Sequence, residues 1–491
     1  MDKLNILFAA SEAVPFAKTG GLADVAGALP KALRALGHDV RVVMPRYYIV
    51  DREKYDLKMQ EGALGVPMGI MGEQWAGVCE GRLPGTDIPV YFIEHEGYFG
   101  RAGLYDENGR GYSDNDNRFL FFSRAVMQLA KKLHFRPDII HANDWHTAAI
   151  PVLLNTVYAF DPDFANAGSM LTIHNLQHQG KFYRGAMDVF GIGWEHYNAD
   201  ELEEFEGINL LKGGIVHADA VTTVSRRYAA EIRTADFGWG LEGLIDSIGY
   251  KLYGILNGVD YDEWSPVNDP FIPAAFDSGE MEGKTACKAA LQAEFSLPER
   301  PEVPLIGMVG RLAEQKGIAL VAESIHVLLE MDVQIVMLGA GEKWAEAFFG
   351  DIARQYPEKF GCFIGYRNDL AHRIEAGSDL FLMPSLFEPC GLNQIYSLRY
   401  GSLPIVRSTG GLDDTIENYH NDQTHGTGFK FHDATADALI NTVRWAVHTW
   451  YNDPEGIERM RHNAMHQRFD WDGAAREYEV VYRKIVQGRE E

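Results

Sequence analysis

Leu4-Asn5-Ile6-Leu7-Phe8-Ala9-Ala10 leads into Lys18-Thr19-Gly20-Gly21-Leu22-Ala23-Asp24-Val25-Ala26-Gly27, and this junction decides the fold. The first segment is apolar apart from Asn5 and reads as a buried strand. The second opens an Ala- and Leu-rich segment through Leu33 and Leu36, which reads as a helix. A glycine pair between strand and helix lets the backbone come close to a ligand. Free N–H groups at the helix start favour negative charge, and Lys18 adds a full positive charge beside them. The junction predicts one wall of an anion site; a tight strand-to-helix turn with a surface lysine is the plainer reading. Pro30 is expected to break or restart the helix.

The same alternation runs outward from this junction. Strands are expected at 39–44, 90–94, 139–142, 169–174, 220–224 and 252–256, with helices such as 118–133 and 145–157 between them. Continuous β-branched runs alternating with helices specify a parallel sheet covered on both faces. Near Asn257-Gly258-Val259-Asp260 the pattern resets, and Pro266, Pro270 and Pro273 follow. A second alternation then places strands at 304–310, 334–339, 362–365, 380–384 and 403–406, with helices near 317–329, 371–376 and 393–400. The expected class is α/β, with two doubly wound domains facing a deep cleft and ligands beyond the carboxyl ends of the strands. The domains are expected at 1–257 and 258–460, with a C-terminal helix at 461–491 returning to the first domain.

Composition narrows the function. A chain of 491 residues exceeds one ordinary core, and 46% apolar residues suffice for globular packing. A formal charge of −25 repels nucleic acid and anionic membranes, so an anionic substrate needs a local pocket of Lys and Arg. Cys79, Cys287, Cys362 and Cys390 lie far apart without CxxC spacing, which suggests neither a disulfide framework nor a zinc site. The apolar start is too short for a signal peptide and no run spans a bilayer, so a cytoplasmic location is expected. Nothing in the chain sets its oligomeric state.

Several segments at strand ends carry chemistry. Gly310-Arg311-Leu312 follows the first strand of the second domain, and Lys316-Gly317 opens the next helix; two cations beside backbone N–H groups suit a diphosphate. Pro384-Ser385-Leu386-Phe387-Glu388-Pro389-Cys390-Gly391-Leu392 follows another strand. There Glu388 either accepts hydrogen bonds from sugar hydroxyls or caps the helix beyond it. Thr409-Gly410-Gly411 ends a strand in the same manner, and Tyr366 either stacks on a base or packs the rim. In the first domain, His141-Ala142-Asn143-Asp144-Trp145-His146 and His174-Asn175-Leu176-Gln177-His178 follow strands. Their histidines lack the Glu of HExxH and any neighbouring cysteine, so no metal ligand is expected. Asp144 and Glu388 fall in different domains, which argues against a two-carboxylate glycosidase. Gly339-Ala340-Gly341 is followed by Trp344 where a dinucleotide fingerprint needs glycine, which excludes that motif.

Together these residues resemble the bacterial glycogen synthase and plant starch synthase family, retaining glucosyltransferases of the two-Rossmann GT-B architecture. The resemblance runs from Lys18-Thr19-Gly20-Gly21 through His141–His146, His174-Asn175, Leu256-Asn257-Gly258 and Arg311…Lys316 to Phe387-Glu388-Pro389-Cys390-Gly391-Leu392. It implies transfer of glucose from ADP-glucose to the non-reducing end of an α-1,4-glucan such as glycogen, without a further cofactor. The first domain would then face the acceptor and the second hold the nucleotide sugar. By the same resemblance, Arg311 and Lys316 hold the diphosphate, with Lys18, Gly20 and Gly21 facing it. Glu388 binds the donor glucose, assisted by backbone at Cys390, Gly391 and Leu392, with Asn257 and Thr409 in the same substrate set. His174 lies beside the anomeric carbon, Asp144 contacts donor or acceptor, Tyr112 and Asn175 face the acceptor, and Tyr366 stacks on adenine. Domain closure is the expected gate against water. The position eight after Glu388, a second Glu in many GT-B enzymes, is Tyr396, which puts the usual ribose contact in doubt. A UDP-sugar transferase and a non-catalytic GT-B binding protein are the alternatives.

Overall fold

The structure is a computed structural model that describes residues 3–107, 109–419 and 424–490. The parts of the expected segments at residues 1–2, 108, 420–423 and 491 lie outside the described residues. The chain forms two compact units. One takes in the chain through Val224, 229–258 and Trp471 onward; the other holds 225–228 and 259–470.

In the first unit the principal strands of the main sheet are β1 (Asn5–Ala9), β2 (Asp39–Pro45), β3 (Glu73–Arg82), β4 (Pro89–Glu94), β5 (Ile139–Asn143), β6 (Gly168–Ile173), β7 (Ala220–Thr223) and β8 (Leu252–Gly254). These are ordered β8-β7-β6-β5-β1-β2-β4-β3, each neighbouring pair parallel except β3 with β4, and the short strands Lys58–Met59 and Leu64–Pro67 add further antiparallel pairs on β3. Ile6, Leu7, Phe8 and Ala9 of β1 are fully buried, as a central strand covered on both faces requires. The chain leaves β1 toward β2 on one side and later returns to place β5 on the other. The gap between β1 and β5 is therefore the topological switch point, where the carboxyl-end loops part to admit ligands.

Helix α1 (Gly21–Ala35) follows β1 and runs unbroken through Pro30, contrary to the expected break. A proline inside a helix costs about 3 kcal/mol. Burial of Leu22, Val25, Leu29 and Leu33 on the same helix, at about 1.5–3 kcal/mol for each large side chain, outweighs it. Helix α2 (Leu210–His217) leads into β7.

The second unit repeats the plan with β9 (Leu305–Val309), β10 (Gln334–Gly339), β11 (Phe360–Ile364), β12 (Leu380–Met383), β13 (Leu403–Arg407) and β14 (Phe429–Phe431). The order is β11-β10-β9-β12-β13-β14, all parallel, with the switch point between β9 and β12. Helices α3 (Ile318–Glu330), α4 (Asn393–Arg399) and α5 (Gly410–Thr415) follow β9, β12 and β13.

The expected change of unit at 461 falls inside helix α6 (Pro454–His466), which stays with the second unit. Its Ile457, Met460 and Ala464 are buried in that unit's core, so the helix cannot be divided there. The chain changes unit between Asp470 and helix α7 (Trp471–Glu490). In α7, Tyr482 OH lies 2.7 Å from His141 Nδ1, and His141 Nε2 lies 2.6 Å from Thr172 Oγ1 on β6. A buried polar chain thus fastens α7 to the sheet of the first unit.

Candidate active site

In the second unit three carboxyl-end loops are tied together at the switch point. The loop after β9 carries Arg311 and a 3-10 turn (Glu314–Lys316). The Leu386 N–H donates to Gln315 O at 2.8 Å, and Gln315 Nε2 donates to Phe387 O at 3.3 Å, joining this loop to the one after β12. Gly317 permits the approach. It has φ +69°, and a Cβ there would lie 2.1 Å from Pro384 O. The loop after β13 closes the third side, where the Gly411 N–H donates to Glu388 O at 3.0 Å. At Gly410, with φ +45°, a Cβ would lie 1.9 Å from that same carbonyl oxygen.

Within this frame Glu388 is buried and its Oε2 accepts from Lys316 Nζ at 2.6 Å and from Ser385 Oγ at 2.9 Å. Arg311 is exposed, and its Nη2 donates to Gln315 Oε1 at 3.1 Å, which holds the guanidinium beside the same turn. Cys390 and Thr409 are buried, and Gly391 and Leu392 lead directly into α4. Tyr366 stands exposed after β11, with its hydroxyl donating to Asn368 Oδ1 at 3.2 Å, so its ring face is open for stacking. The structure therefore brings two cations and one carboxylate to neighbouring strand ends, a set able to bind an anionic group beside a polyol. Gln315 belongs to this arrangement and was not singled out from the sequence, where a polar residue between Arg311 and Lys316 has no distinguishing signal.

In the first unit the glycine junction differs from expectation. The Thr19 and Gly20 N–H groups are not free, because both donate to Glu12 Oε2, the latter at 3.3 Å. Thr19 Oγ1 and Tyr105 OH donate to Glu12 Oε1 at 2.9 and 3.0 Å. The reason is that a buried carboxylate at the end of β1 needs donors, and the loop supplies them. Burial raises the Glu12 pKa, opposed by these hydrogen bonds. Lys18 is exposed and paired with Asp24 at 2.7 Å. A Cβ at Gly20 or Gly21 would meet nothing within 4 Å, so packing does not require either glycine. Glu12 and Tyr105 are constituents that sequence reasoning missed; the one signal was a carboxylate directly after a buried strand.

Beside this loop, Asp144 follows β5 at φ +55°, a left-handed backbone rarely taken by residues other than glycine. Its Oδ1 accepts the His174 N–H at 2.7 Å, and burial lifts its pKa to about 7. Asn143 Nδ2 donates to Ala9 O at 3.0 Å, which turns its Oδ1 to His174 Nε2 at 2.9 Å. That nitrogen of His174 therefore carries the proton and Nδ1 is left as an acceptor. Burial pushes the His174 pKa down to about 3, so the ring is neutral at working pH. Asn175 is held by the Gln177 N–H, which donates to its Oδ1 at 3.0 Å. Asn257 is buried, and its Oδ1 has no hydrogen-bond partner among the described residues.

Tyr112 is half-buried. Its hydroxyl accepts the Gly103 N–H at 3.2 Å, and the guanidiniums of Arg101 and Arg118 lie 4.7 and 4.9 Å from its ring centre. His141 and His146 are buried among Tyr482, Thr172, Tyr105 and Phe119, which accounts for them as packing residues.

Comparison with known proteins agrees with this fold. The family profile described as Starch synthase catalytic domain matches residues 5–247, and that described as Glycosyl transferases group 1 matches residues 292–467. The chain is 58% identical to "Glycogen synthase 1" of Geobacter metallireducens over 489 residues, covering 100% of this chain and 97% of that protein. It is 46% identical to "Glycogen synthase" of an Anaeromyxobacter species, covering 98% and 100%. The catalytic domain of starch synthase IV from Arabidopsis thaliana, solved with ADP and acarbose, superposes with a TM-score of 0.91 at 33% identity, covering 99% of this chain and 100% of that one. Sucrose-phosphate synthase of Thermosynechococcus elongatus, at 16% identity and a TM-score of 0.59, shares the fold. With two doubly wound α/β units, cations and a carboxylate at the switch point of the second, and relatives this similar over the full length, the chain belongs to the glycogen synthase and starch synthase family of glycosyltransferases.

Proposed function

We propose that the chain transfers glucose from ADP-glucose to the 4-hydroxyl at the non-reducing end of an α-1,4-glucan, with retention and release of ADP. The observation that carries this reading is the Lys316–Glu388 pair, with Arg311 beside it, at the β9–β12 switch point. The glycogen synthase relatives and the ADP-bound starch synthase support the choice of donor and acceptor.

The donor carries its own activated bond, so the protein has chiefly to stabilise negative charge on the departing diphosphate. Arg311 and Lys316 supply the positive charge that does this, with Lys18 turning from Asp24 and the Gly21 backbone as further phosphate contacts, while Gly20, whose N–H stays with Glu12, lets the ligand come close. Glu388 accepts from glucose hydroxyls, next to backbone groups at Cys390, Gly391 and Leu392, and Tyr366 stacks on the adenine, with Thr409 and Asn257 completing the substrate set. His174 presents its backbone carbonyl to the anomeric carbon as positive charge develops there. Asp144 and Asn175 contact sugar hydroxyls, and Tyr112 holds its place through Arg101 and Arg118 on the acceptor side. No cofactor enters the reaction. The absence of a membrane-crossing helix among the described residues and four cysteines outside disulfides fit a cytoplasmic enzyme.

The test is incorporation of label from radiolabelled ADP-glucose or UDP-glucose into glycogen. Preferred incorporation from ADP-glucose is the expected result. Preference for UDP-glucose would replace the donor assignment, and no incorporation from either would remove the transferase reading.

A further inference from the structure

Three side chains of the first unit converge away from the residues discussed so far. His196 ends a 3-10 turn (Trp194–His196), Glu201 lies in the following turn, and His217 is the last residue of α2. His196 Nδ1 lies 2.7 Å, and His217 Nε2 2.9 Å, from one carboxylate oxygen, Glu201 Oε2. All three ligand atoms lie within 4.8 Å of one another. The second oxygen, Oε1, accepts from Asn198 Nδ2 at 3.1 Å, which fixes the plane of the carboxylate. Side-chain exposures of 22, 24 and 13% leave the group reachable from solvent yet largely desolvated.

We infer that His196, Glu201 and His217 form a binding site for a divalent transition-metal ion, with zinc(II) the ion that suits the donor set. Two imidazole nitrogens and a carboxylate oxygen, completed by water, make a four-coordinate zinc sphere. Ligand bonds of about 2.0–2.2 Å set such atoms roughly 3.3 Å apart, so each imidazole nitrogen would move about half an ångström away from Oε2. Two of the three ligands sit on a surface turn, where that adjustment costs little. The site also stands at the carboxyl end of α2, where the helix dipole favours a cation.

The ion has a structural consequence. Lys212 Nζ already ties the 199–203 turn to α2 by donating to Ala199 O and Glu203 O, each at 2.6 Å. The metal adds a second link to the same segment. That segment continues to Glu204, whose Oε2 accepts from Asn209 Nδ2 at 2.5 Å; Asn209 Nδ2 also donates to Gln179 Oε1 at 2.7 Å. Gln179 Nε2 in turn donates to Leu176 O at 3.1 Å, beside Asn175. Occupancy therefore stiffens the support of the loop that carries His174 and Asn175.

The test uses the full chain, titrated with zinc chloride by calorimetry and with cobalt(II) chloride by absorption, and bound metal is counted after desalting. One ion per chain, a four-coordinate cobalt spectrum and a melting temperature that rises with zinc are expected. His196→Gln and His217→Gln should each weaken binding by about tenfold or more. His462→Gln is the control, because it removes one member of a different close histidine pair, His462 and His466, with ring centres 4.1 Å apart on α6. Circular dichroism without metal checks that each variant folds, and Glu201→Gln, which keeps the carboxylate's shape, replaces any histidine variant that does not. Absent or substoichiometric binding overturns the inference, as does binding that survives both histidine variants or falls only with His462→Gln.

Discussion

Lys316 Nζ donates to Glu388 Oε2 at 2.6 Å, joining the loops that follow neighbouring strands β9 and β12. The two partners are unequally buried, with side-chain exposures of 23 and 7%. Removing either one therefore has different consequences. Lys316→Met leaves a buried carboxylate with Ser385 as its partner and should cost about 1–3 kcal/mol. Glu388→Gln leaves a lysine that can turn to water and should cost less. Urea midpoints compare the two, and equal losses would contradict the burial argument. Both variants should lower kcat by about a hundredfold or more.

Arg311 separates function from stability. It is exposed, and its hydrogen bond is to Gln315 within the same turn. Arg311→Ala should leave the unfolding midpoint within about 0.5 kcal/mol of the parent, as surface substitutions do. Its kcat with ADP-glucose should fall by about 10²–10³-fold, the cost of losing one charge-stabilising donor. Unchanged turnover in the folded variant would remove Arg311 from the diphosphate.

Gly20 and Gly317 make a matched pair of tests. Gly317→Ala meets Pro384 O and a left-handed backbone, so a loss of more than about 1–2 kcal/mol is expected in thermal unfolding. Gly20→Ala meets nothing within 4 Å at φ −148°, an extended backbone open to any residue. It should keep its melting temperature while its KM for ADP-glucose rises. A destabilised Gly20→Ala protein would mean that packing, not ligand approach, requires that glycine.

Asp144 makes stability depend on pH. Burial raises its pKa from the ordinary 3.8 to about 7, so the folded state holds its proton more tightly than the unfolded chain. Its contribution is most favourable below pH 3.8, is lost as pH rises toward 7, and is constant above that. Asp144→Asn keeps an oxygen for the His174 N–H and has no proton to lose. The variant should gain stability relative to the parent across this interval, read as the difference in urea midpoints at successive pH values. A difference independent of pH would refute the raised pKa.

Tyr482→Phe tests the fastening of α7. It removes the hydroxyl 2.7 Å from His141 Nδ1 and leaves a buried ring nitrogen without that partner. A loss of about 1–3 kcal/mol is expected in chemical denaturation, with kcat unchanged.

Strand positions and motif placement were legible because both rest on local signals. Continuous apolar runs such as Asn5–Ala9 and Leu305–Val309 fit between two helix layers in one manner, and Arg311, Lys316 and Glu388 follow such runs directly. Periodicity, turn residues and short-range spacing carry that information without reference to the rest of the chain. Pairings across long sequence separations do not. Glu12 taking the Thr19 and Gly20 amides together with Tyr105, Pro30 held inside α1 by its buried neighbours, Gln315 bridging two loops, and His196 meeting Glu201 and His217 all depend on atoms brought together by packing. A buried polar group must find a partner wherever the fold supplies one, and only the folded arrangement decides which partner that is.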